Sequence, residues 1–436
     1  MCRHELVRGA GPPGRDTRRG LAPGGRQSAL LRRLGGRRTA GLVHAPRPGA
    51  GGLATVRDAR LARDRSRAGR RHLHARQPDG HTVIRRVHLV ESGGRGGVFN
   101  HSVEVAAGLG GLGVDVVVHT ADDCDAAPAP VTLCRCVTWH RTSPNRRVRQ
   151  ARTSTRYLLR TLPHLHQVIG PQDVVHIQGL FALTPELISI ARLRHATVVA
   201  SPHNTFVRSN APGGGRALRS ALRDADRVLV YSDADRRRLL DRGVANVDQV
   251  PLTQWTPPPK PALVDRWRTE LNPNGGKLAL LPGQVRADKN PELFVRAVAQ
   301  LPDWRGAVVG EDLGPGLRVD ALIDQTGSAV TTAYRYLGVD EFTALVAAAD
   351  VVVAPYEVAS QSGVLAVAAR LGVPTAVAPC GGLIELATAV ARDTSVAAIS
   401  EAIALADERG AKPVDTTDAA GRVLAAYTAA RRSQTP

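Results

Sequence analysis

The chain has 436 residues and a formal net charge of +19, enough length for two or three domains and enough charge to raise nucleic acid as a partner. The placement of the charge argues against that partner: residues 1–82 carry 19 Arg against 5 acids, whereas residues 83–436 carry 39 Lys plus Arg against 34 acids. No stretch approaches about 18 uncharged apolar residues, which excludes a membrane-crossing helix as a sequence expectation.

Residues 1–82 differ from the rest. In RRGLAPGGRQSALLRRLGGRRTAG, Gly, Pro and Arg interrupt every apolar period. Three readings compete: a disordered basic arm that touches nucleic acid or membrane, a targeting segment, and upstream DNA translated because the start is set too early. A secretory segment needs a long apolar region, which is missing here. The chain uses 54 Arg against 4 Lys, which is consistent with GC-rich coding and favours the third reading. Five cysteines, an odd number, give no disulfide framework, and Cys134-Arg-Cys136 has neither zinc nor redox spacing. The expectation is a soluble protein of a reducing, cytoplasmic compartment, with peripheral membrane contact left open. No clear exposed amphipathic anchor is visible in its first half.

From residue 83 the pattern changes. TVIRRVHLVE reads as a strand, SGGRGG as a glycine-rich turn, and the following residues as a helix. VDVVVHT, QDVVHIQGL, ATVVASPHN and DRVLVYS supply further strands, with helices in TPELISIARLRH, RALRSALRDA and DADRRRLLDRG. The proline cluster of TQWTPPPKPALVDRW interrupts this rhythm and reads as a hinge. The alternation then restarts with GGKLALLPGQ, PELFVRAVAQLP, WRGAVVGED, GLRVDALIDQTG, a short strand in TAYRYLG, VDEFTALVAAAD, DVVVAPY, SGVLAVAARLG and VPTAVAPCGG. A last helix, TDAAGRVLAAYTAARR, closes the chain. Continuous Val/Ile/Leu runs alternating with helices predict parallel strands covered on both faces. The fold expected is α/β, with two doubly wound Rossmann-like domains facing a cleft at their strand carboxyl ends.

Candidate chemistry falls on those ends. In GGRGG, Gly96 and Gly97 open a helix and allow close backbone approach to an anion, or they serve turn geometry alone. The dinucleotide pattern G-x-G-x-x-G is not met, so a nicotinamide site is not expected. His203, in SPHNTF, follows a strand on the cleft side, where a ring nitrogen can act or bind; the alternative is a cap or loop histidine. His176 sits within a strand and suits a core role equally well. His101, near the start of the first helix, is placed to touch phosphate or solvent. Arg286 and Lys289, three residues apart in GQVRADKN, can form a diphosphate clamp or stand as two solvated cations. In PYEVASQSGVLAVAARLG, the helix start near Ser362 offers free amides, Ser360 and Ser362 add hydroxyls, and Gly363 permits close approach. A serine cap on a buried helix is the plain alternative. Glu385 is the first carboxylate after the carboxylate-free run from Ala359 to Gly372. No histidine pair has zinc-cluster spacing.

Taken together, the glycine turn, DVVHIQG, SPHN, VLVYSDADRRRL, GQVRADKN and VVVAPYEVASQSG…LGVPTAV resemble, in order and spacing, the GT-B glycosyltransferase family 4 (glycosyl transferases group 1). The match runs from residue 84 to about residue 420 and is closest to a variant with a Q-S-G loop. The resemblance implies four segments: 1–82 as a basic extension or misplaced start, 83–258 as acceptor domain, 259–417 as nucleotide-sugar domain, and 418–436 as a helix crossing back. It implies an enzyme that moves a sugar from a UDP, GDP or ADP donor to a saccharide, lipid-linked glycan or small-molecule hydroxyl, with retention and without a metal. Arg286 and Lys289 would bind the diphosphate, joined by Ser360, Ser362, Gly363, Val364, Gly96, Gly97 and Glu385. Ser232 would line the cleft and His203 would approach the transferred sugar or the acceptor. The family's paired Glu are absent: Ala359 and Val367 stand at those positions, and Gln284 stands where Arg is common. That departure keeps two alternatives in view, a pseudoglycosyltransferase that joins an activated cyclitol to an acceptor, and an inactive nucleotide-sugar-binding protein.

Overall fold

The computed structural model describes residues 84–137, 145–206, 214–412 and 418–433; the basic segment 1–82 lies outside them. The first described strand, β1 (Val87–Glu91), is buried at all five positions, the signature of a central parallel strand. It passes through the glycine turn into α1 (Gly96–Gly111) and then β2 (Val116–Ala121) and β3 (Thr132–Val137). An arm follows: α2 (Arg146–Arg156), one π-helical turn at Tyr157–Thr161, and α3 (Leu162–Val168). The alternation resumes with β4 (Val174–Gln178), α4 (Thr184–Leu193), β5 (Thr197–Ser201), α5 (Gly214–Asp224), β6 (Arg227–Val230), α6 (Asp233–Leu240) and β7 (Val247–Gln249). These seven strands form one sheet in the order β3-β2-β1-β4-β5-β6-β7, with every pairing parallel.

The proline-rich connection leads into α7 (Pro261–Leu271), which starts on a proline, where a missing N–H costs nothing. The second unit runs β8 (Lys277–Pro282), α8 (Pro291–Val298), β9 (Trp304–Val309), α9 (Gly316–Thr326), β10 (Val330–Ala333), α10 (Val339–Ala347) and β11 (Val351–Ala354). It continues through α11 (Gly363–Leu371), β12 (Thr375–Val377), a 3-10 segment at Gly381–Leu386, β13 (Ala389–Val390) and α12 (Val396–Arg409). Its six strands are ordered β10-β9-β8-β11-β12-β13, again all parallel. The core splits accordingly, with one cluster around Trp267 and Phe294 on the second sheet and clusters on the two faces of the first.

The closing helix, α13 (Ala419–Arg432), buries Val423, Ala426, Tyr427 and Ala430 among residues of the first sheet. Their spacing of i, i+3, i+4, i+7 makes one apolar stripe, and that stripe packs on the first sheet. Each sheet reverses its strand order once, between β1 and β4 and between β8 and β11. Ligands of doubly wound sheets bind outside the strand carboxyl ends at such switch points.

Three details differ from expectation. The strand expected in TAYRYLG lies earlier, at Val330–Ala333; Arg335 and Tyr336 are exposed, and Gly338 starts α10. β3 was not read as a strand because exposed Arg135 between Cys134 and Cys136 weakens its apolar run, as suits an edge strand. The α2–α3 arm was not read either. Its first helix has almost no apolar stripe and starts on Asn145, whose Oδ1 accepts from the Arg147 and Val148 amides at 3.0 and 3.4 Å. The arm also exposes Leu158 and Leu159 beside Arg156 and Arg160, an apolar and cationic edge the sequence reading did not anticipate. No described helix is long and apolar enough to cross a membrane.

Candidate active site

The glycine turn is held from below. Glu91, fully buried at the end of β1, accepts from the Gly93 and Gly94 amides at 2.9 and 2.7 Å and from the Thr120 hydroxyl. Gly96 and Gly97 then begin α1, with open space where a side chain would stand. The Gly97 carbonyl accepts from Gln254 Nε2 at 3.0 Å. A Cβ on Gly363 would stand 3.1 Å from the same Gln254 amide. The glycine turn of the first unit and the start of α11 in the second therefore meet across Gln254.

His203 follows β5 with a left-handed φ of 56°. It is 7% exposed, and both ring nitrogens are engaged. Nε2 lies 2.8 Å from Gln178 Oε1, and Nδ1 lies 3.1 Å from Gln361 Nε2. An acceptor amide oxygen on one side and a donor NH2 on the other fix a neutral imidazole, protonated at Nε2. Burial keeps its pKa well below the ordinary histidine value. Gln361 belongs to the Q-S-G loop, so His203 is gripped from across the cleft. Tyr231 packs on His203 and His101 at ring-centroid distances of 4.8 and 4.7 Å. His101 reaches neither phosphate nor solvent: it is buried, and its Nδ1 is 2.8 Å from the Thr253 carbonyl. His176 is also core, lying between Tyr427 Oη at 2.6 Å and Ser201 Oγ at 2.7 Å.

On the second unit, Arg286 precedes and Lys289 ends a single 3-10 turn, Ala287–Lys289. Arg286 makes a bidentate ion pair with Asp288 at 2.9 and 3.0 Å and touches Gln284 Oε1 at 3.3 Å. Lys289 is nearly buried, with Nζ 5.3 Å from the Tyr356 ring centroid. Gly283, at φ 89°, is the meeting point. A Cβ there would stand 3.2 Å from Lys289 Nζ and 3.5 Å from Val364 Cγ2. Lys289 and the first turn of α11 thus converge at the β8/β11 switch point. Ser362 starts α11 without a side-chain hydrogen bond to it, so its hydroxyl leaves the first-turn amides uncapped.

Each unit matches a family of its own. Residues 95–252 match the model described as Glycosyltransferase Family 4, and residues 276–408 match the one described as Glycosyl transferases group 1. Among solved structures, sucrose-phosphate synthase from Thermosynechococcus elongatus aligns with a TM-score of 0.59 at 18% identity over 80% of this chain and 98% of that one. The catalytic domain of starch synthase IV from Arabidopsis thaliana, solved with ADP and acarbose, aligns at 0.61 and 11% over 80% and 99%. Anabaena HepE, solved with UDP-glucose, aligns at 0.54 and 13% over 80% and 98%. No curated protein matches the chain. The chain has the GT-B fold of these structures, and each of its two units matches a glycosyltransferase family model.

In this GT-B frame several expected donor contacts join the two units to each other. Ser360 is buried: its Oγ accepts from the Thr205 amide at 3.2 Å and donates to Asp235 Oδ1 at 3.3 Å. Asp235 also receives Arg238 at 3.1 Å, and burial raises its pKa. Ser232 caps α6 by accepting from the Asp235 amide at 3.2 Å and sits against Gly382. A Cβ on Gly382 would lie 2.5 Å from that of Ser232 and 2.3 Å from the Ser360 carbonyl. Glu385 accepts from the Asp233 amide at 2.7 Å and from Gln249 at 3.1 Å. Arg370 pairs with Glu104 at 2.7 Å, and Tyr336 donates to Asp125 while Arg95 lies over its ring. Sequence reasoning did not name Gln178, Tyr231, Asp235, Gln254 or Gln361. Gln178 and Tyr231 carried a readable signal, since both stand at the ends of predicted parallel strands.

The expectation that the chain offers no metal-ligand cluster does not hold. His119, Cys134, Cys136 and His164 bring one ligand atom each within 4.8 Å of one another. The set was hidden in the sequence because its members span three elements, β2, β3 and α3.

Proposed function

We propose that the protein transfers a glycosyl group from a nucleotide-diphosphate sugar to an acceptor hydroxyl in the cleft between its two units. The observation that carries this reading is the convergence of Lys289 and the uncapped start of α11 on Gly283, with Arg286 on the same turn. Two cations and a helix start supply positive potential where a diphosphate leaving group gains charge. The acceptor oxygen forms a bond to the anomeric carbon as the bond from that carbon to the diphosphate breaks. The proton leaves with the diphosphate. Front-side attack of this kind retains configuration. The Asp288 carboxylate on Arg286 holds the guanidinium in place until a diphosphate competes for it. His203, neutral and oriented by Gln178, presents a fixed dipole to the cleft, and Gln361 is the residue a ligand would displace from it. Ala359 and Val367 are buried apolar residues, so donor contacts elsewhere made by the paired Glu must come from other groups here. This favours keeping an activated cyclitol as the second donor class. UDP-, GDP- and ADP-sugars and a nucleotide-linked cyclitol, each with an acceptor panel, should release nucleoside diphosphate with one of them. Arg286→Ala should then lower kcat/KM by about 100-fold, with most of the loss in kcat. Binding of nucleotide sugar without release would support the inactive binder. No binding, with Arg286→Ala indistinguishable from the parent, would sink both.

A further inference from the structure

The edge of the first sheet carries a side-chain cluster that the transferase reading does not use. Cys134 and Cys136 are two apart on β3 and so share one face, with Arg135 on the other. The β2–β3 register sets His119 opposite Cys134, and the pairing shifts just beyond, between His119 and Ala121. The fourth member comes from the arm. The π-turn Tyr157–Thr161 inserts an extra residue into the helical path, and α3 then delivers His164. The Thr161 hydroxyl donates to the Cys136 carbonyl at 2.8 Å and fixes the arm against the strand.

His119 Nδ1 lies 3.4 Å from Cys136 Sγ, and His164 Nε2 lies 3.3 Å from Cys134 Sγ. In a tetrahedral zinc site, bond lengths of about 2.05 Å to nitrogen and 2.3 Å to sulfur put neighbouring N and S ligands about 3.6 Å apart. The two measured edges are already near that value. The tautomers agree as well. Asp173, fully buried, receives Arg85 through two contacts of 2.8 Å and the Gly170 amide at 2.7 Å. His88 Nε2 is 3.2 Å from the same carboxylate, and His88 Nδ1 is 2.9 Å from His119 Nε2. A proton on His88 Nε2 serves Asp173, which leaves Nδ1 to accept from His119 Nε2–H. That places the His119 lone pair on Nδ1, toward the thiols. Buried carboxylate–histidine relays of this kind orient metal-ligating imidazoles.

We propose that His119, Cys134, Cys136 and His164 bind one zinc-class divalent cation in a closed tetrahedral site that fastens the β3 edge to the α2–α3 arm. Two thiolates and two neutral imidazoles suit a borderline-soft d10 ion, and four protein ligands leave no open position for catalysis. Binding releases two thiol protons to solvent and gives a site of zero net charge, which suits its half-buried position.

Metal analysis of the full chain purified without chelator should find about one zinc per chain. After chelation, titration of the parent chain with cobalt(II) should produce tetrahedral d–d bands and a thiolate-to-cobalt charge-transfer band. In Cys134→Ser/Cys136→Ser the zinc content should fall below about a tenth and the charge-transfer band should vanish. His88→Gln should weaken cobalt affinity by about 10- to 100-fold while keeping the bands. The cobalt readout on the parent chain stands even where a variant fails to fold. The proposal is overturned if stripped parent protein gives no charge-transfer band, or if the double variant keeps its zinc. It is equally overturned if peptide mapping without reductant finds a Cys134–Cys136 disulfide in metal-free protein.

Discussion

Three buried histidines, His101, His176 and His203, surround the inner end of the cleft, and each is neutral for the same reason: burial disfavours the imidazolium. The pKa of His101 is pushed down to about 4 and that of His176 to about 3, while that of His203 falls well below its ordinary value. In the unfolded chain each takes up a proton near pH 6.5. A depressed folded value means that unfolding takes up protons as the pH falls, so stability is complete above about pH 6.5 and is lost below it. Each histidine removes about 1.4 kcal/mol per pH unit in that window. Thermal melts from about pH 7.5 to pH 5 should therefore show Tm falling steeply below pH 6.5, with a slope set by more than one group. A flat Tm over this range would mean that the cluster admits protons or water without unfolding. The same burial explains why the histidines were hard to read. Strand-end position sets His203 just beyond β5, but no local pattern announces that Gln361, far along the chain, closes over its Nδ1.

At the level of single elements, α13 is held to the first sheet by apolar packing, by Arg422 donating to the Gln249 carbonyl at 2.8 Å, and by a buried contact of Tyr427. Tyr427 is fully buried, and its hydroxyl lies 2.6 Å from His176 Nδ1. Removing only that oxygen leaves His176 Nδ1 with the longer 3.4 Å contact to Gln178 Nε2 alone in a buried site. Tyr427→Phe should cost about 1–3 kcal/mol, read as a lower urea midpoint with an unchanged m-value. Cutting the exposed Arg370–Glu104 pair between α11 and α1 should cost about 1 kcal/mol or less, because both partners are partly solvated. Similar midpoints for the two variants would show that the Tyr427 hydroxyl contact contributes no more than a surface ion pair. The α13 stripe was legible because 423, 426, 427 and 430 repeat at helical spacing within one segment. The strongly apolar strands β1, β4, β5, β8 and β11 were legible for the same reason: each is buried on both faces and carries its own signal. β3 and the α2–α3 arm were not, because their stability is borrowed. One is an edge strand with a charged face, and the other is a cationic helix capped by a single Asn. The metal-ligand group they build exists only once the two have met, so sequence spacing could not reveal it.

Across the whole molecule, the contacts between the two units are unusually dependent on glycine. Gly382 lets the 3-10 segment of the second unit lie directly on the cap of α6 in the first. Even one methyl there would overlap the Ser360 carbonyl and the Ser232 side chain. The Ser232 side chain is a helix cap of the first unit, and its overlap is relieved by separating the units; the Ser360 carbonyl belongs to the same unit as Gly382, and its overlap is relieved by a shift of the Q-S-G loop. Separation would also break the nearby Ser360–Asp235, Ser360–Thr205 and Glu385–Asp233 contacts and release Gln361 from His203. The Lys289–Gly283–Val364 cradle lies within the second unit and needs none of these. Gly382→Val should therefore open the protein and shift the Q-S-G loop, while the contacts of Lys289 with Gly283 and Val364 stay in place. Small-angle scattering should give a larger radius of gyration. Nucleoside diphosphate should still bind within a few-fold of the parent, and turnover, which needs both units around the substrates, should fall by more than about 10-fold. Were the radius unchanged and turnover preserved, Gly382 would mark only local turn geometry. Were diphosphate binding lost together with turnover, the donor cradle would itself depend on closure, and Arg286 and Lys289 would have to be read as parts of one clamp spanning the two units.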